Sequence, residues 1–221
     1  MYSERPSVLP HVVAWWSVTP AGAREHRILP DGCLDIIWQD GHVFVAGPDT
    51  TAQVGAPVPG RRMFALRFGA GTGPGVLGVP ASELVDRQVP LDDLWPAALV
   101  RRLASSDDPL AAITAAAARR WAPDASMAAL ASFARAGRPV DLIASRLGLS
   151  PRQLQRRSNA AFGYGPKVLA RIFRMQRAVA LARGGSSFAS ASAEAGYADQ
   201  AHLAREVRAM AGVPLSLLLT S

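Results

Sequence analysis

Ile143-Ala-Ser-Arg-Leu-Gly-Leu-Ser-Pro-Arg-Gln-Leu-Gln-Arg-Arg157 reads as a helix, a glycine turn and a second helix. Ala191-Ser-Ala-Glu-Ala-Gly-Tyr-Ala-Asp-Gln-Ala-His-Leu-Ala-Arg205 repeats the plan with one extra residue in the turn. Gly148 answers to Gly196, Ser150 to Asp199, Leu154 to Leu203 and Arg156 to Arg205. Ser150-Pro-Arg-Gln153 has the form of a helix start: a capping Ser, Pro in the first turn and Gln at the third position of a capping box. Two helix-turn-helix units so close together point to a protein that reads two stretches of major groove.

Charge follows the same division. Residues 126–221 carry thirteen Arg and Lys against four Asp and Glu, whereas residues 1–125 carry eleven against thirteen. The net +7 therefore belongs to the C-terminal part, as expected where phosphates are the partner. A solvated basic surface would show the same balance. The duplicated motif is what favours double-stranded DNA.

Within each unit one Leu, 154 or 203, faces inward and polar residues face out. Arg152, Gln155 and Arg156 lie on an outward face of the first unit, and Gln200, His202 and Arg205 on that of the second. Arg can hold guanine by two hydrogen bonds and Gln can hold adenine in the same way. His202 is a base contact or, equally, the partner of a phosphate or a neighbouring side chain. Residues 166–183 carry apolar residues at helical spacing (Val168, Leu169, Ile172, Met175, Val179), with Arg171, Arg174 and Arg177 on another side. This predicts a spacer helix that holds the reading helices about one DNA turn, roughly 34 Å, apart. Phosphate contacts are expected from Ser150, Arg171, Arg174 and Arg177.

Residues 1–121 read as a β-rich, barrel-like domain with C-terminal helices. Val12–Val18, Leu34–Trp38, Val43–Ala46 and Met63–Phe68 are short runs of branched and aromatic residues separated by Gly, Pro and Asp. Ser82 with Asp86, and Asp92-Asp93, look like short helix starts. Asp108-Pro109 opens a helix to about Trp121. The whole is α+β: a β-rich front domain, then an all-α domain at 126–221. Trp15, Trp38, Phe44, Phe64 and Phe68 are the candidate lining of an apolar ligand pocket, or ordinary core. Cys33 lies between Asp31 and Asp35, whose carboxylates disfavour the thiolate that a reactive cysteine needs. It is read as inert.

No cofactor is expected. His11, His26 and His42 lack metal-site spacing, and Gly69-Ala-Gly-Thr-Gly-Pro-Gly75 lacks the Lys-Ser/Thr of a phosphate loop. No triad or paired-carboxylate spacing is present, so the chain is read as a non-enzyme. The opening residues show no signal pattern and no apolar run is long enough to span a bilayer, so a cytoplasmic protein without membrane contact is expected.

Residues 126–221 resemble the C-terminal domain of AraC/XylS-type bacterial transcription regulators. The resemblance rests on Gly-Leu-Ser-Pro-Arg-Gln-Leu-Gln-Arg (148–156), Gly-Pro-Lys-x-Leu-Ala-Arg-Ile-x-Arg (165–174) and Ala-Gly-Tyr-Ala-Asp-Gln-Ala-His-Leu-x-Arg (195–205). It implies seven helices with two helix-turn-helix units. It also implies base contacts from Arg152, Gln155 and Arg156, then from Gln200, Ala201, His202 and Arg205. Where that family has large apolar residues, this chain has Ser158, Ala191 and Val207, and it has Ser192 where Ala is usual. The space at Ala191 is therefore either unfilled, leaving the second unit softer, or taken up by Phe188 or the Leu215–Leu219 segment.

Residues 8–96 resemble a less characterised N-terminal domain found on a subset of these regulators. Leu29-Pro-Asp-Gly-Cys-Leu-Asp-Ile-Ile-Trp38, Val45-Ala-Gly-Pro48, Leu77-Gly-Val-Pro-Ala-Ser-Glu-Leu84 and Asp92-Asp-Leu-Trp95 carry that likeness. It implies a regulatory or ligand-sensing role and names no ligand; a small organic effector is the partner such a role would take. The 97–121 helices are the expected place for a homodimer contact. The rival reading is a small-molecule binding or sequestering protein with a degenerate DNA-binding half. An enzyme acting through Cys33 is more remote.

Overall fold

The computed structural model describes residues 2–219. Eight strands come first: β1 (Tyr2–Pro6), β2 (Val12–Val18), β3 (His26–Ile28), β4 (Leu34–Gln39), β5 (His42–Ala46), β6 (Gln53–Gly55), β7 (Arg62–Phe68) and, after the short helix α1 (Pro74–Leu77), β8 (Gln88–Pro90). Helices α2 (Ala97–Ala104) and α3 (Pro109–Ala118) close the front region. Seven helices follow among the described residues: α4 (Ala125–Arg135), α5 (Val140–Arg146), α6 (Pro151–Phe162), α7 (Pro166–Arg183), α8 (Phe188–Ala195), α9 (Gln200–Ala211) and α10 (Leu215–Leu218).

The α+β class stands. The six main strands form an antiparallel sheet in the order β1-β2-β7-β4-β5-β8, open at β1 and β8 rather than closed into a barrel, and β3 pairs with β6 apart from it. One sheet face carries Val12, Ala14, Leu34, Ile36, Trp38, Val43, Val45, Leu66 and Phe68 and is buried against Val100, Leu103, Leu110, Ile113, Ala116 and Ala117 of α2 and α3. The apolar faces of the two helices expected to dimerise are thus spent on the chain's own core. The two short helix starts expected near Ser82 and Asp92 are single 3₁₀ turns, Ala81–Glu83 and Leu91–Asp93.

The opposite sheet face holds a smaller cluster of Trp15, Ile37 and Ala65, with Phe44, Ala46 and Met63 half-buried beside it. Successive strand residues point to opposite faces. The five aromatics expected to share a pocket are therefore split, with Trp38, Phe64 and Phe68 on the helix-covered face and Trp15 and Phe44 on the other. Trp15 donates from Nε1 to Asp35 Oδ1 at 3.1 Å, and Trp38 from Nε1 to the Ala104 carbonyl at 2.9 Å. The five do not line one cavity.

A second core lies among α4–α10, with Leu130, Ile143, Leu154, Leu169, Ile172, Met175, Val179, Leu203 and Val207 essentially sealed from solvent. Asp124 caps α4 by accepting from the Ser126 and Met127 N–H groups, and Arg157 of α6 donates to it at 2.7 Å. Its partial burial opposes ionisation, but these donors hold the carboxyl below its usual range. No helix of the described residues is long and apolar enough to cross a membrane.

Candidate nucleic-acid interface

Helix α6, the first candidate reading helix, starts as its sequence dictates. Ser150 accepts from the Gln153 N–H through its hydroxyl, and Gln153 returns the bond to the Ser150 N–H at 2.9 Å. Leu154, Ser158, Ala161 and Phe162 are buried, and the α6 C-cap Gly163 has φ +84°. Arg152, Gln155 and Arg156 are exposed, as expected. Gln155 is folded along its own helix, donating to Asn159 Oδ1 at 3.1 Å and lying where a side chain at Gly165 would stand.

Helix α9, the second candidate reading helix, is capped by Asp199, which accepts from the His202 N–H at 2.6 Å. Leu203, Glu206, Val207, Met210 and Ala211 face inward, while Gln200, Ala201 and Arg205 are exposed. His202 is half-buried, edge-on to the Tyr197 ring at 5.1 Å and 3.8 Å from Glu206 Oε2. Its imidazole therefore already has neighbours within the fold.

Sequence reasoning missed Glu206. It is 8% exposed and receives Arg174 Nη2 at 3.0 Å and Arg171 Nε at 3.4 Å, both from the spacer helix α7. The Arg174 guanidinium also lies 4.5 Å from the Tyr197 ring centre. Two of the expected phosphate contacts thus have a partner inside the protein and tie α7 to α9. Arg177 is exposed on α7, and Ser150 is engaged as the α6 cap. The available signal was a lone acid one helical turn beyond His202, in a helix that is otherwise basic.

Sequence reasoning also missed how the front region grips the reading helices. Pro48 and Val85 crowd Gly163, so closely that a Cβ there would lie 2.3 Å from Val85 Cγ2. The Ala52 N–H donates to the Met210 carbonyl at 2.6 Å. A single segment, residues 47–53, thus touches the C-terminal ends of both α6 and α9. Gln176 of α7 donates to the Pro30 carbonyl at 2.6 Å, and Gly32 fits against Leu169 and Phe173. Pro30, Gly32 and Pro48 come from the very motifs that carry the front-domain resemblance. Asp49, half-buried in the bridging segment, has its carboxyl pushed up to about 6 by burial, with Asp86 adding to the rise.

Cys33 is enclosed. Burial first, then Asp31 and Asp35, push its thiol far above the ordinary range, which fits an inert group. Among the described residues no group of three or more His, Cys, Asp or Glu is placed to hold a metal. A groove of about 280 Å³ runs between β5, β8 and α2, lined among others by His42, Phe44, Pro90, Asp92 and Arg101. A second, of about 190 Å³, lies at the second unit between Phe188, Leu203, Ala204, Pro214 and Leu215. Ala191 is fully enclosed and does not border it. The open space in the second unit is therefore beside Leu203, and of the two alternatives for Ala191 the enclosed position favours the filled one.

Residues 143–220 match the family described as a helix-turn-helix domain, and residues 3–90 match a domain of unknown function (DUF6597). The C-terminal part of the chain thus carries the match to a helix-turn-helix domain, and the N-terminal part the match to the domain of unknown function. Among solved structures the chain is similar to a probable AraC family transcriptional regulator from Rhodopseudomonas palustris CGA009, at 24% identity over 44% of this chain and 96% of that one, with a TM-score of 0.39. It is also similar to ToxT from Vibrio cholerae O395, at 8% identity over 95% and 96% of the two chains and a TM-score of 0.47. The corresponding values for wild-type ToxT of Vibrio cholerae strain SCE256, solved with an unsaturated fatty acid bound, are 10%, 94%, 94% and 0.47. None of the curated proteins matches the chain.

Proposed function

We propose that this protein is a sequence-specific DNA-binding transcription regulator in which α6 and α9 enter adjacent segments of major groove. The observation that carries the reading is the shared layout of the two helices. Each buries one face in a common core and leaves the start of the other exposed: Arg152, Gln155 and Arg156 on α6, and Gln200, Ala201 and Arg205 on α9. Arg177 is the spacer-helix residue free to position the backbone. Arg171 and Arg174 hold α9 in place through Glu206. In this reading the chain has two units, residues 1–121 and 126–221. An effector of the front unit would occupy the groove along β5 and α2, where Arg101 and Asp92 stand beside an apolar wall, rather than a pocket of five aromatics.

Selection of duplexes from a random pool by the full chain tests this. An enriched sequence is expected, with affinity falling steeply as salt rises. Arg156→Ala and Arg205→Ala are expected to cost about 1–3 kcal/mol each and to relax preference at separate base positions. Absence of any enriched sequence, or salt-insensitive binding, would favour the sequestering protein with a degenerate DNA half.

A further inference from the structure

We propose that Arg27, on strand β3 of the front domain, grips the DNA backbone beside α9, so that the front domain supplies part of the DNA-binding surface; this rests on the DNA-reading function above. Residues 201, 205, 208 and 212 are spaced by four, three and four, which places them on one stripe of α9. All four are exposed, and the stripe includes Arg205 and Arg208. It ends at Gly212, and the Arg27 Nη1 atom lies 3.8 Å from where a Gly212 Cβ would stand.

Arg27 is held there by the fold. Strand β3 pairs with β6, Ile28 opposite Gln53, and the neighbouring Ala52 N–H is bonded to the Met210 carbonyl. Arg27 Nη1 makes a long 3.5 Å contact with the Ala211 carbonyl, which leaves most of an exposed guanidinium free. Among the described residues no ion pair joins Arg27, Arg205 or Arg208 to an acid. Glu206, the acid of α9, faces inward and is occupied by Arg171 and Arg174. The remaining charges of the β3 arm, Arg24 and Glu25, are exposed. Arginines aligned along the reading stripe repel one another unless an anion lies against them. The phosphates bordering a groove are such an anion, and contacts to them position a protein without reading sequence.

The alternative is that Arg27 only caps the carbonyl end of α9, where a cation is favourable. Arg27→Gln separates the two, because glutamine keeps an N–H donor and loses the charge. The full chain and its R27Q and R27K variants are titrated with the selected duplex and with a scrambled duplex at several salt concentrations. The expected result is that R27Q lowers the slope of log affinity against log salt by about one. It weakens both duplexes several-fold alike and leaves the melting temperature unchanged, while R27K restores the slope. An unchanged slope in R27Q, whatever the affinity, overturns the inference and leaves Arg27 as a cap. If the wild-type chain selects no duplex, the DNA-reading function falls as well, so the two failures are distinct.

Discussion

The two helix-turn-helix units share a plan and differ in what holds them together. The first is sealed by packing. Leu154 and Phe162 are buried, the buried Ser158 hydroxyl donates to the Tyr164 carbonyl at 2.8 Å, and the front region presses on Gly163. The second has small residues at Ala191 and Val207, an open groove beside Leu203 and a buried Ser192 hydroxyl without a partner. Its substitute for bulk is charge, the group formed by Arg171, Arg174 and Glu206. Packing is indifferent to ionic conditions, whereas a partly exposed ion group is weakened by screening. The second unit is thus the one whose reading should respond to its surroundings.

Truncating the central leucines is the strongest way to test that contrast. Leu154→Ala should cost about 3–4 kcal/mol, and Leu203→Ala about 1 kcal/mol less, because Pro214 and Leu215 can close in from the groove. Chemical denaturation of the full-chain variants measures both. Equal losses would mean that the groove gives the second unit no slack.

Glu206→Gln comes next, at about 2–3 kcal/mol. It falls below the cost of breaking a fully buried pair because the Arg171 and Arg174 side chains are 47% and 29% exposed. Hydrogen exchange should show lost protection in α8 and α9 with α5 and α6 unaffected. Loss spread over both units would show that they are not separately stabilised.

Ala191→Leu should destabilise by about 1–2 kcal/mol, since the position is enclosed and set apart from the open groove. A gain in melting temperature would instead restore an underfilled core at that site.

The smallest effects should have opposite signs. Ser158→Ala removes a made bond and should cost about 1 kcal/mol, whereas Ser192→Ala removes an unpaired buried hydroxyl and should stabilise by up to about 1 kcal/mol. Paired melting curves suffice, and a loss at both sites would show that Ser192 is satisfied in solution.

The parts of this architecture legible in the sequence are those set by local chemistry. The Ser150 capping box, the Asp199 and Asp108 caps, the 166–183 spacer and the four hydrophobic strands follow from residues within a few positions of one another. Strand β1 is polar and exists because it pairs with β2, Tyr2 opposite Ser17, a partner that local pattern does not reveal. Strands β3, β6 and β8 are three residues each, too short for a period to register. The exposure of Arg152, Gln155, Arg156, Gln200 and Arg205 was legible from helical spacing, but the inward engagement of Arg174 was not, because its acid lies 32 residues away on another helix. The split of the aromatics was not legible either, because alternation sets faces only within a strand, whereas the pairing that aligns Trp15 with Ala65 and Ile37 is long-range.

Because residues 47–53 touch the far ends of α6 and α9 together, the proposed reading heads do not dock one after the other like beads on a tether. Their mutual ordering is settled when the chain folds, so the second engagement carries little of the entropic cost that a flexible link imposes. The same stiffness removes tolerance. One base pair inserted between two half-sites turns the second by roughly 35° about the duplex axis, given about 10 base pairs per turn. A jointed reader would absorb such a turn, but this one, held from behind at both heads, would have to give up one half-site to keep the other.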